Sequence, residues 1–271
     1  RPPGATHICY CHTPMRYAWL FFDEYFGSVN PLKRRIIAAV IERLRRWDSR
    51  TNERVDFFIA TSDNVKNRIK RIYGRDSDII FPPVETSRFG VSAKDEGFYL
   101  LVAALVPYKR TDIAVEAFNR LNLKLIVVGT GETAAELKKK ARANIEFTGW
   151  VSDSQVADYY RRCRALIFPG EEDFGIVPLE VQACGKPVIA YARGGALETV
   201  IPLERENKGR QATGIFFDRQ TPEALAEAVR RFERVRDRFD PAAIRAHAIG
   251  FDRSTYKDRI RDYIDERMSQ R

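Results

Sequence analysis

The sequence has 271 residues, of which 44% are hydrophobic and 31% charged, and its net charge is +9. This length allows one large or two modest domains, and no run approaches the roughly 20 apolar residues of a membrane-spanning helix. The positive charge favours polyanionic partners such as nucleic acid, an anionic membrane face or phosphorylated substrates, and charge alone does not choose among them.

The first part of the chain is predicted to alternate strands and helices. The predicted elements are a strand at 6–11, a helix at 15–26, an amphipathic helix at 31–54, a strand at 55–61, a helix at 63–73 and a strand at 78–81. Asp76, Ser77 and Asp78 look like a DxD metal site, but their position between a helix and a strand favours a turn. Residues 82–97 begin with two prolines and are the predicted linker.

His12 follows the first predicted strand, where open α/β sheets bind their ligands. With Arg16 four residues on, it suits sugar binding or stabilisation of transition-state charge, and a purely structural histidine remains an alternative. The aromatic-rich stretch at 15–26 indicates either a helix packed on the sheet or an acceptor groove that includes Tyr17.

The four cysteines form no CxxC pair and lie in apolar stretches. We expect buried free thiols in a reducing compartment, which indicates the cytoplasm. Cys9, Cys11 and His12 form a C-x-C-H sequence, but no fourth ligand lies nearby, so we predict no metal site.

The helix predicted at 31–54 is amphipathic and strongly basic. Its predicted apolar stripe consists of Ile36, Ile37, Val40, Ile41, Leu44 and Trp47. Its polar side carries Lys33, Arg34, Arg35, Arg43, Arg45, Arg46, Arg50 and Arg54. This side is either a solvated face or a surface that lies on anionic headgroups.

From Phe98 onward the pattern changes to regular strand–loop–helix units. Strands are predicted at 98–104, 123–128, 145–147, 165–168, 187–191 and 214–217. Helices are predicted to begin near residues 111, 133, 154 and 176, to span 222–235, to begin again at 241 and to span 254–268. This alternation requires a parallel sheet with helices on both faces.

The stretch from 165 to 187 contains the main functional motif. An acidic loop with Glu172 follows a strand, and a helix begins near Ile176 with Glu180 on its first turns. Gly175 and the helix start expose N–H groups at the positive end of a helix dipole, where phosphate binds. Carboxylates would repel a phosphate, so we expect them to accept hydrogen bonds from hydroxyls of a ribose and a hexose. The motif therefore predicts a nucleotide-sugar site.

Other residues are predicted to lie at the same edge of the sheet. Lys109 and Arg110 follow the first strand of the domain, where they can neutralise a diphosphate as it leaves. Trp150 and Val151 follow another strand, and their backbone can contact the edge of a base, although an indole that only packs against the protein is the alternative.

The segment at 129–134, GTGETA, supports a rival hypothesis. It fits the GxGxxA fingerprint of dinucleotide-binding proteins, so an NAD-dependent oxidoreductase is an alternative. However, this unit is the second of its domain, and no acidic residue ends the next strand. A tight turn at Gly131 beside a nucleotide is the better account. A non-enzymatic binding module for nucleic acid or membrane, driven by the basic helix, is the other alternative.

Five separated segments resemble the retaining, GT-B-fold glycosyltransferases of family 4, in particular the GDP-mannose-dependent mannosyltransferases of bacterial surface polysaccharide (O-antigen) synthesis. Glu172-x7-Glu180, followed by Cys184-Gly185-Lys186-Pro187, resembles the donor-site signature of that family. The five segments, which occur in the family's order, are 10–19, 59–74, 82–89, 105–118 and 168–190.

The resemblance implies an α/β fold with two Rossmann-like domains. It implies an acceptor domain at 1–89, a donor domain at 90–250 and a terminal helix at 251–271 that crosses back to the first domain. It also implies retention by same-face attack without a metal or other cofactor, with the leaving diphosphate taking the acceptor's proton. The acceptor would be a saccharide or a lipid-linked saccharide at the cytoplasmic membrane face, and no nucleic acid would bind.

The resemblance also assigns residues to roles. Lys109, Glu172 and His12 would be catalytic, with Lys109 on the diphosphate, Glu172 on the hexose and His12 contacting the sugar from the opposite domain. By position, the resemblance also implies that Arg110 lies beside Lys109, that Glu180 binds the ribose and that the N–H groups of Gly175, Ile176 and Val177 bind the phosphates. We further expect Gly131, Trp150, Val151 and Phe174 to bind the donor, and Arg16 and Tyr17 to bind the acceptor.

Two departures from the family pattern stand out. Ala104 occupies a position where many relatives carry an arginine, so Lys109 and Arg110 must supply most of the positive charge. The acceptor side has only about 90 residues, and the chain begins at Arg1 without Met. We therefore expect the N-terminal domain to be incomplete, with an unpaired sheet edge, and a chain that can bind nucleotide without transferring sugar.

Overall fold

A computed structural model describes residues 4–27, 29–203 and 211–269. The chain divides into two compact units, Arg1–Phe81 with Tyr256–Arg271, and Pro82–Thr255. The division comes earlier than residue 89, because the predicted linker packs within the second unit: Val84 and Phe89 are buried, and Val84 pairs with Asp252.

The first unit contains a three-stranded parallel sheet in the order β1-β2-β3. Its strands are β1 (Ile8–Cys11), β2 (Phe57–Ala60) and β3 (Ser77–Ile79). Its helices before the second unit are α1 (Arg16–Trp19), α2 (Phe22–Phe26), α3 (Pro31–Asn52) and α4 (Asp63–Tyr73). The alternation agrees with the predicted order of elements, and Gly74 ends α4 in the left-handed conformation.

The second unit contains a six-stranded parallel sheet in the order β6-β5-β4-β7-β8-β9. Its strands are β4 (Phe98–Val102), β5 (Lys124–Val128), β6 (Ile145–Gly149), β7 (Ala165–Phe168), β8 (Val188–Tyr191) and β9 (Gly214–Phe217). The helices are α5 (Thr111–Leu121), α6 (Ala134–Lys140), α7 (Asp153–Arg162), α8 (Ile176–Ala183), α9 (Ala196–Thr199), α10 (Pro222–Val235), α11 (Pro241–Ile249) and α12 (Arg253–Ser269). From Tyr256 onward, α12 belongs to the first unit.

Side chains alternate between the two faces of this sheet, and each face has its own core. Tyr99 and Leu101 of β4 pack with Phe118 of α5 and Phe232 of α10 on one face. Leu100 packs with residues of α7 and α8 on the other. The predicted doubly wound arrangement with helices on both faces is confirmed.

The strand order reverses between β4 and β7. From β4 the sheet continues to β5 and β6 on one side and to β7, β8 and β9 on the other. In open α/β sheets, ligands bind outside the carboxyl ends of the strands at such a switch point. The loops that follow β4 and β7 contain Lys109 and Glu172, so the topology brings these two segments together.

The single helix predicted at 15–26 is wrong, because the segment forms α1 and α2. Different partners hold the two pieces: Trp19 donates to Asp48 at 2.7 Å, whereas Asp23 pairs with Arg34 at 2.5 Å. Arg34 also lies over the Phe22 ring, 5.6 Å from its centroid.

The turn predicted at Asp76–Asp78 is also wrong in part. Ser77 and Asp78 belong to β3, and only Asp76 precedes the strand. Asp76 pairs with Lys70 at 2.8 Å. Asp78 accepts hydrogen bonds from Tyr263 at 3.0 Å and Arg267 at 2.8 Å, which attach α12 to this unit.

The apolar stripe predicted for α3 is only half correct. Ile41 is buried and Ile37 and Leu44 are half-buried, but Ile36, Val40 and Trp47 are exposed. The predicted stripe is wide, and within it only the side chains of Ile37, Ile41 and Leu44 are fully or partly buried.

Candidate active site

Lys109 and Glu172 form an ion pair at the switch point of the second unit. Lys109 ends a 3-10 turn (Pro107–Lys109), and its Nζ lies 2.5 Å from Oε1 of Glu172 in the loop after β7. The side chains are only 16% and 20% exposed, so the pair is largely shielded from solvent. The loops approach closely because residue 170 is glycine: a Cβ there would lie 3.1 Å from the Lys109 Cα.

The start of α8 lies directly after this acidic loop. Gly175 is the N-cap residue, with φ of 96°, and no side chain caps the helix. The N–H groups of Ile176 and Val177 lie in the first turn, where no intrahelical acceptor exists. Phe174 is buried, and its ring packs against Phe251. This helix start has the features of an anion site.

The acidic loop rests on Gly194 and Gly195, which the sequence reasoning missed. Gly195 N–H donates to the Glu172 carbonyl oxygen at 2.8 Å. A Cβ at Gly194 would lie 2.2 Å from that oxygen, and one at Gly195 would lie 2.2 Å from the Phe174 Cα. The available signal was the Gly-Gly pair that closely follows the strand predicted at 187–191.

Glu180 has a different neighbour from Glu172. Its Oε2 accepts a hydrogen bond of 2.9 Å from the buried Tyr160 hydroxyl on α7. Burial raises the pKa of Glu180, although the Tyr160 hydrogen bond acts in the opposite direction. Nearby, Arg88 and Asp153 pair with each other at 3.2 Å. The two predicted glutamates thus contact the β4 loop and α7, respectively.

Arg110 has partners of its own. Its φ is 54°, and its guanidinium contacts Asp112 at 3.2 Å and Gln220 at 3.2 Å. Gln220 in turn donates to the Pro169 carbonyl oxygen at 2.9 Å, so it bridges the loops after β4 and β7. Gln220 was also missed, because nothing local in the sequence links it to these loops. Ala104 is exposed in the loop after β4.

The glycines of the GTGETA segment are explained by close packing. A Cβ at Gly129 would lie 2.0 Å from the Ala103 carbonyl oxygen, and one at Gly131 would lie 2.2 Å from that of Leu105. The Leu105 oxygen also accepts hydrogen bonds from the backbone N–H and the hydroxyl of Thr133, at 3.1 and 2.8 Å. Protein backbone therefore occupies the space beside Gly131.

Trp150 and Val151 follow β6. The Trp150 indole is 78% exposed, whereas Val151 is half-buried and packs against the core. Ser152 and Gln155 then form a capping box that begins α7. Trp150 is thus an open aromatic surface on the segment that leads to Tyr160.

The remaining predicted site residues lie in the first unit. His12 follows β1, its ring meets Tyr10 edge-on at 5.3 Å, and its carbonyl oxygen accepts from Thr61 at 3.2 Å. Arg16 begins α1, and Tyr17 is 42% exposed. Their roles stay predictions.

All four cysteines are free, and Cys11, Cys163 and Cys184 are buried as predicted, whereas Cys9 is only half-buried. Burial raises the pKa of Cys163 to about 12 and that of Cys184 to about 11, whereas a hydrogen bond with Cys11 lowers that of Cys9 to about 7. Among the described residues, no three His, Cys, Asp or Glu side chains are grouped so that they could hold a metal ion. In the same part of the chain, no helix combines the length and apolar character needed to cross a membrane.

Residues 84–245 match the family described as "Glycosyl transferases group 1", and this range is more than half of the chain. The chain belongs to this family.

Two curated relatives illustrate the similarity of this glycosyl transferase chain to known proteins. "O-antigen chain mannosyltransferase C" of Escherichia coli is 32% identical over 106 residues, which cover 36% of this chain and 29% of the relative. "D-inositol 3-phosphate glycosyltransferase 1" of Catenulispora acidiphila is 27% identical over 264 residues, which cover 86% of this chain and 60% of the relative. The chain spans about half the length of the curated relatives that it matches. The expected incompleteness of the N-terminal domain stays a prediction.

The fold of this group 1 chain is of GT-B type. The crystal structure of Anabaena Alr3699/HepE in complex with UDP and glucose aligns with a TM-score of 0.70, at 18% identity, and covers 96% of this chain and 71% of that chain. At this identity the likeness concerns the fold alone. It confirms the predicted α/β class with parallel sheets.

Proposed function

We propose that the protein is a retaining glycosyltransferase that moves a hexose, mannose, from GDP-mannose to a saccharide or lipid-linked saccharide acceptor. The observation that carries the proposal is the Lys109–Glu172 ion pair beside the uncapped start of α8. A cation and free N–H groups suit a diphosphate, and a carboxylate suits the hydroxyls of the adjoining sugar. Membership of the family supports the reaction class.

In the proposed mechanism, the N–H groups of Gly175, Ile176 and Val177 bind the diphosphate. Lys109 stabilises the negative charge that grows on this group as the glycosidic bond breaks. The leaving diphosphate accepts the proton of the acceptor hydroxyl, which attacks from the same face of the sugar. Glu172 holds the hexose, and Lys109 orients its carboxylate before the donor binds.

The proposal also specifies mannose as the transferred hexose and guanine as the base of the donor. The resemblance to O-antigen mannosyltransferases and the name of the E. coli relative support mannose. The Catenulispora relative and the Anabaena complex have other substrates in their names, so we propose a donor screen as the test. Thermal shifts are measured with GDP, UDP, dTDP, NAD and the corresponding sugar nucleotides. GDP and GDP-mannose should stabilise the protein most, whereas stabilisation by NAD alone would favour an oxidoreductase.

We also propose that the protein works at the cytoplasmic face of a membrane. We define the exposed α3 face as Leu32, Ile36, Val40, Arg43, Trp47 and Arg50, which are all exposed and recur at helical spacing. Apolar side chains among arginines suit an anionic lipid surface. The apolar side chains enter the headgroup layer, and the arginines pair with lipid phosphates.

A further inference from the structure

Tyr160 is a core residue whose hydroxyl contacts the candidate site. Only 2% of its surface is exposed, and its ring packs against Phe89 with centroids 5.8 Å apart. A phenylalanine would fill this space equally well. The hydroxyl is therefore the feature that needs an explanation, and its acceptor is Oε2 of Glu180 at 2.9 Å.

Within the described part of the chain, Tyr160 is the hydrogen-bond donor to the Glu180 carboxylate, and the second oxygen has no partner of this kind. Arg88, whose charge acts on Glu180, pairs with Asp153. A carboxylate has about four acceptor positions on its two oxygens. The Glu180 side chain is only half-buried. One oxygen is thus held by the protein, and the other remains available to a ligand.

We propose that Tyr160 is a positioning residue that makes the site selective for ribonucleotides. It holds Oε2 so that Oε1 faces the two ribose hydroxyls of the donor. This inference rests on the proposed function, since it assumes that a nucleoside diphosphate binds at α8. It deepens that function by adding a residue that holds Glu180 in place, and it predicts that deoxyribonucleotides bind more weakly than ribonucleotides.

The physical reason is preorganisation. A glutamate side chain has several rotatable bonds, and ordering it when a ligand binds costs conformational entropy. The Tyr160 ring is buried in the core with residues of α7 and α8, so little conformational freedom is left for its hydroxyl to lose. Its hydroxyl therefore fixes the carboxylate before the nucleotide arrives, and two adjacent ribose hydroxyls then meet an acceptor already in place.

The test compares the affinities of GDP and 2′,3′-dideoxy-GDP, measured by calorimetry. We expect the wild type to prefer GDP by about tenfold or more, and Tyr160→Phe to reduce this preference to about two- to threefold. Tyr159→Phe is the matched control. It removes a hydroxyl one position earlier on α7, where the ring packs edge-on against Phe98, and should leave the preference unchanged.

A double-mutant cycle separates positioning from a merely structural effect. If Tyr160 acts through Glu180, then Tyr160→Phe should have no further effect on the ribose preference in a Glu180→Gln background. Should Tyr160→Phe not fold, Glu180→Asp replaces it, because it keeps the charge but draws the carboxylate away from the tyrosine. This variant should lose the preference in the same way.

Two failures are distinguishable. If the wild type binds neither nucleotide, the proposed function is wrong and the inference falls with it. If the wild type binds GDP but has no ribose preference, or keeps its full preference in Tyr160→Phe or Glu180→Asp, the positioning role is wrong while the diphosphate site stands.

Discussion

Lys109 and Glu172 are joined by a 2.5 Å ion pair between two loops that follow neighbouring strands of the same sheet. They are 63 residues apart in the sequence, and the pairing of β4 with β7 brings them together. The pair places a cation and a carboxylate side by side in the candidate site before any ligand is bound. Because both side chains are largely shielded from solvent, each charge is stabilised mainly by the other.

Replacing Lys109 alone should destabilise the fold. Lys109→Met leaves the Glu172 carboxylate shielded without its cation, and we expect a loss of about 2 kcal/mol or more in the free energy of unfolding. The double variant Lys109→Met/Glu172→Gln removes both charges and should recover most of this loss. Urea denaturation measures both values. Equal stability of the single variant and the wild type would contradict the coupling of the two charges.

Glu180→Gln should stabilise the protein in a pH-dependent way. Burial raises the pKa of Glu180 above its ordinary value of 4.5, so the folded state holds this proton more tightly than the unfolded state. Well below the ordinary pKa the group is protonated in both states and costs nothing. As the pH rises through the folded-state pKa, the charged form lowers stability, and the neutral glutamine avoids that cost.

The measurement is thermal unfolding of both proteins at pH 8 and pH 4. Because about 1 kcal/mol shifts Tm by about 2–4 °C in a protein of this size, we expect Glu180→Gln to melt a few degrees higher at pH 8. The difference should shrink at pH 4. A lower Tm at pH 8 would mean that the charged carboxylate stabilises the fold, contrary to this account.

Gly131→Ala should destabilise the protein even without nucleotide. A Cβ would lie 2.2 Å from the Leu105 carbonyl oxygen, so the backbone must shift, at a cost of about 1–3 kcal/mol. Gly90→Ala is the matched control, because a Cβ there meets no atom within 4 Å. Its effect should stay within about 0.5 kcal/mol. If Gly131→Ala were as stable as the control and lost only NAD affinity, the dinucleotide hypothesis would regain support.

The exposed α3 face should bind vesicles that contain phosphatidylglycerol and should not bind vesicles of phosphatidylcholine alone. Each arginine near an anionic surface contributes about 1 kcal/mol, so Arg43→Ser should weaken binding about fivefold. Arg35→Ser, an exposed position on another side of the helix, should have a smaller effect. Trp47→Ser should weaken binding without changing Tm. Co-sedimentation in which both arginine variants behave alike would indicate general charge attraction rather than a defined surface.

The parts of the site with strong local signals could be predicted from the sequence. Pro169 and Gly170 end β7, Gly175 precedes α8, and Gly185, with φ of 76°, follows its end. Each residue acts through its own backbone preference, so the strand, the loop and the helix were placed correctly. The strand–helix alternation likewise predicted the parallel sheet.

The parts that depend on distant contacts could not be predicted. Tyr160 has the helical spacing of an ordinary core residue, and Gln220 lies after β9, far along the chain from Arg110 and Pro169. Nothing near either residue reveals its partner. The α3 stripe failed for a related reason, because periodicity identifies apolar side chains but not which of them, Ile41 or Trp47, finds a neighbour.

The most direct test of the account is a calorimetric titration of GDP into the wild type and the Lys109→Met/Glu172→Gln double variant, which should remain folded. We expect the wild type to bind GDP with a Kd in about the micromolar range, and the double variant to bind about 10- to 100-fold more weakly, because the diphosphate loses its cation. Equal affinities for GDP, or no binding by the wild type, would contradict the assignment of this ion pair to a nucleotide-sugar site.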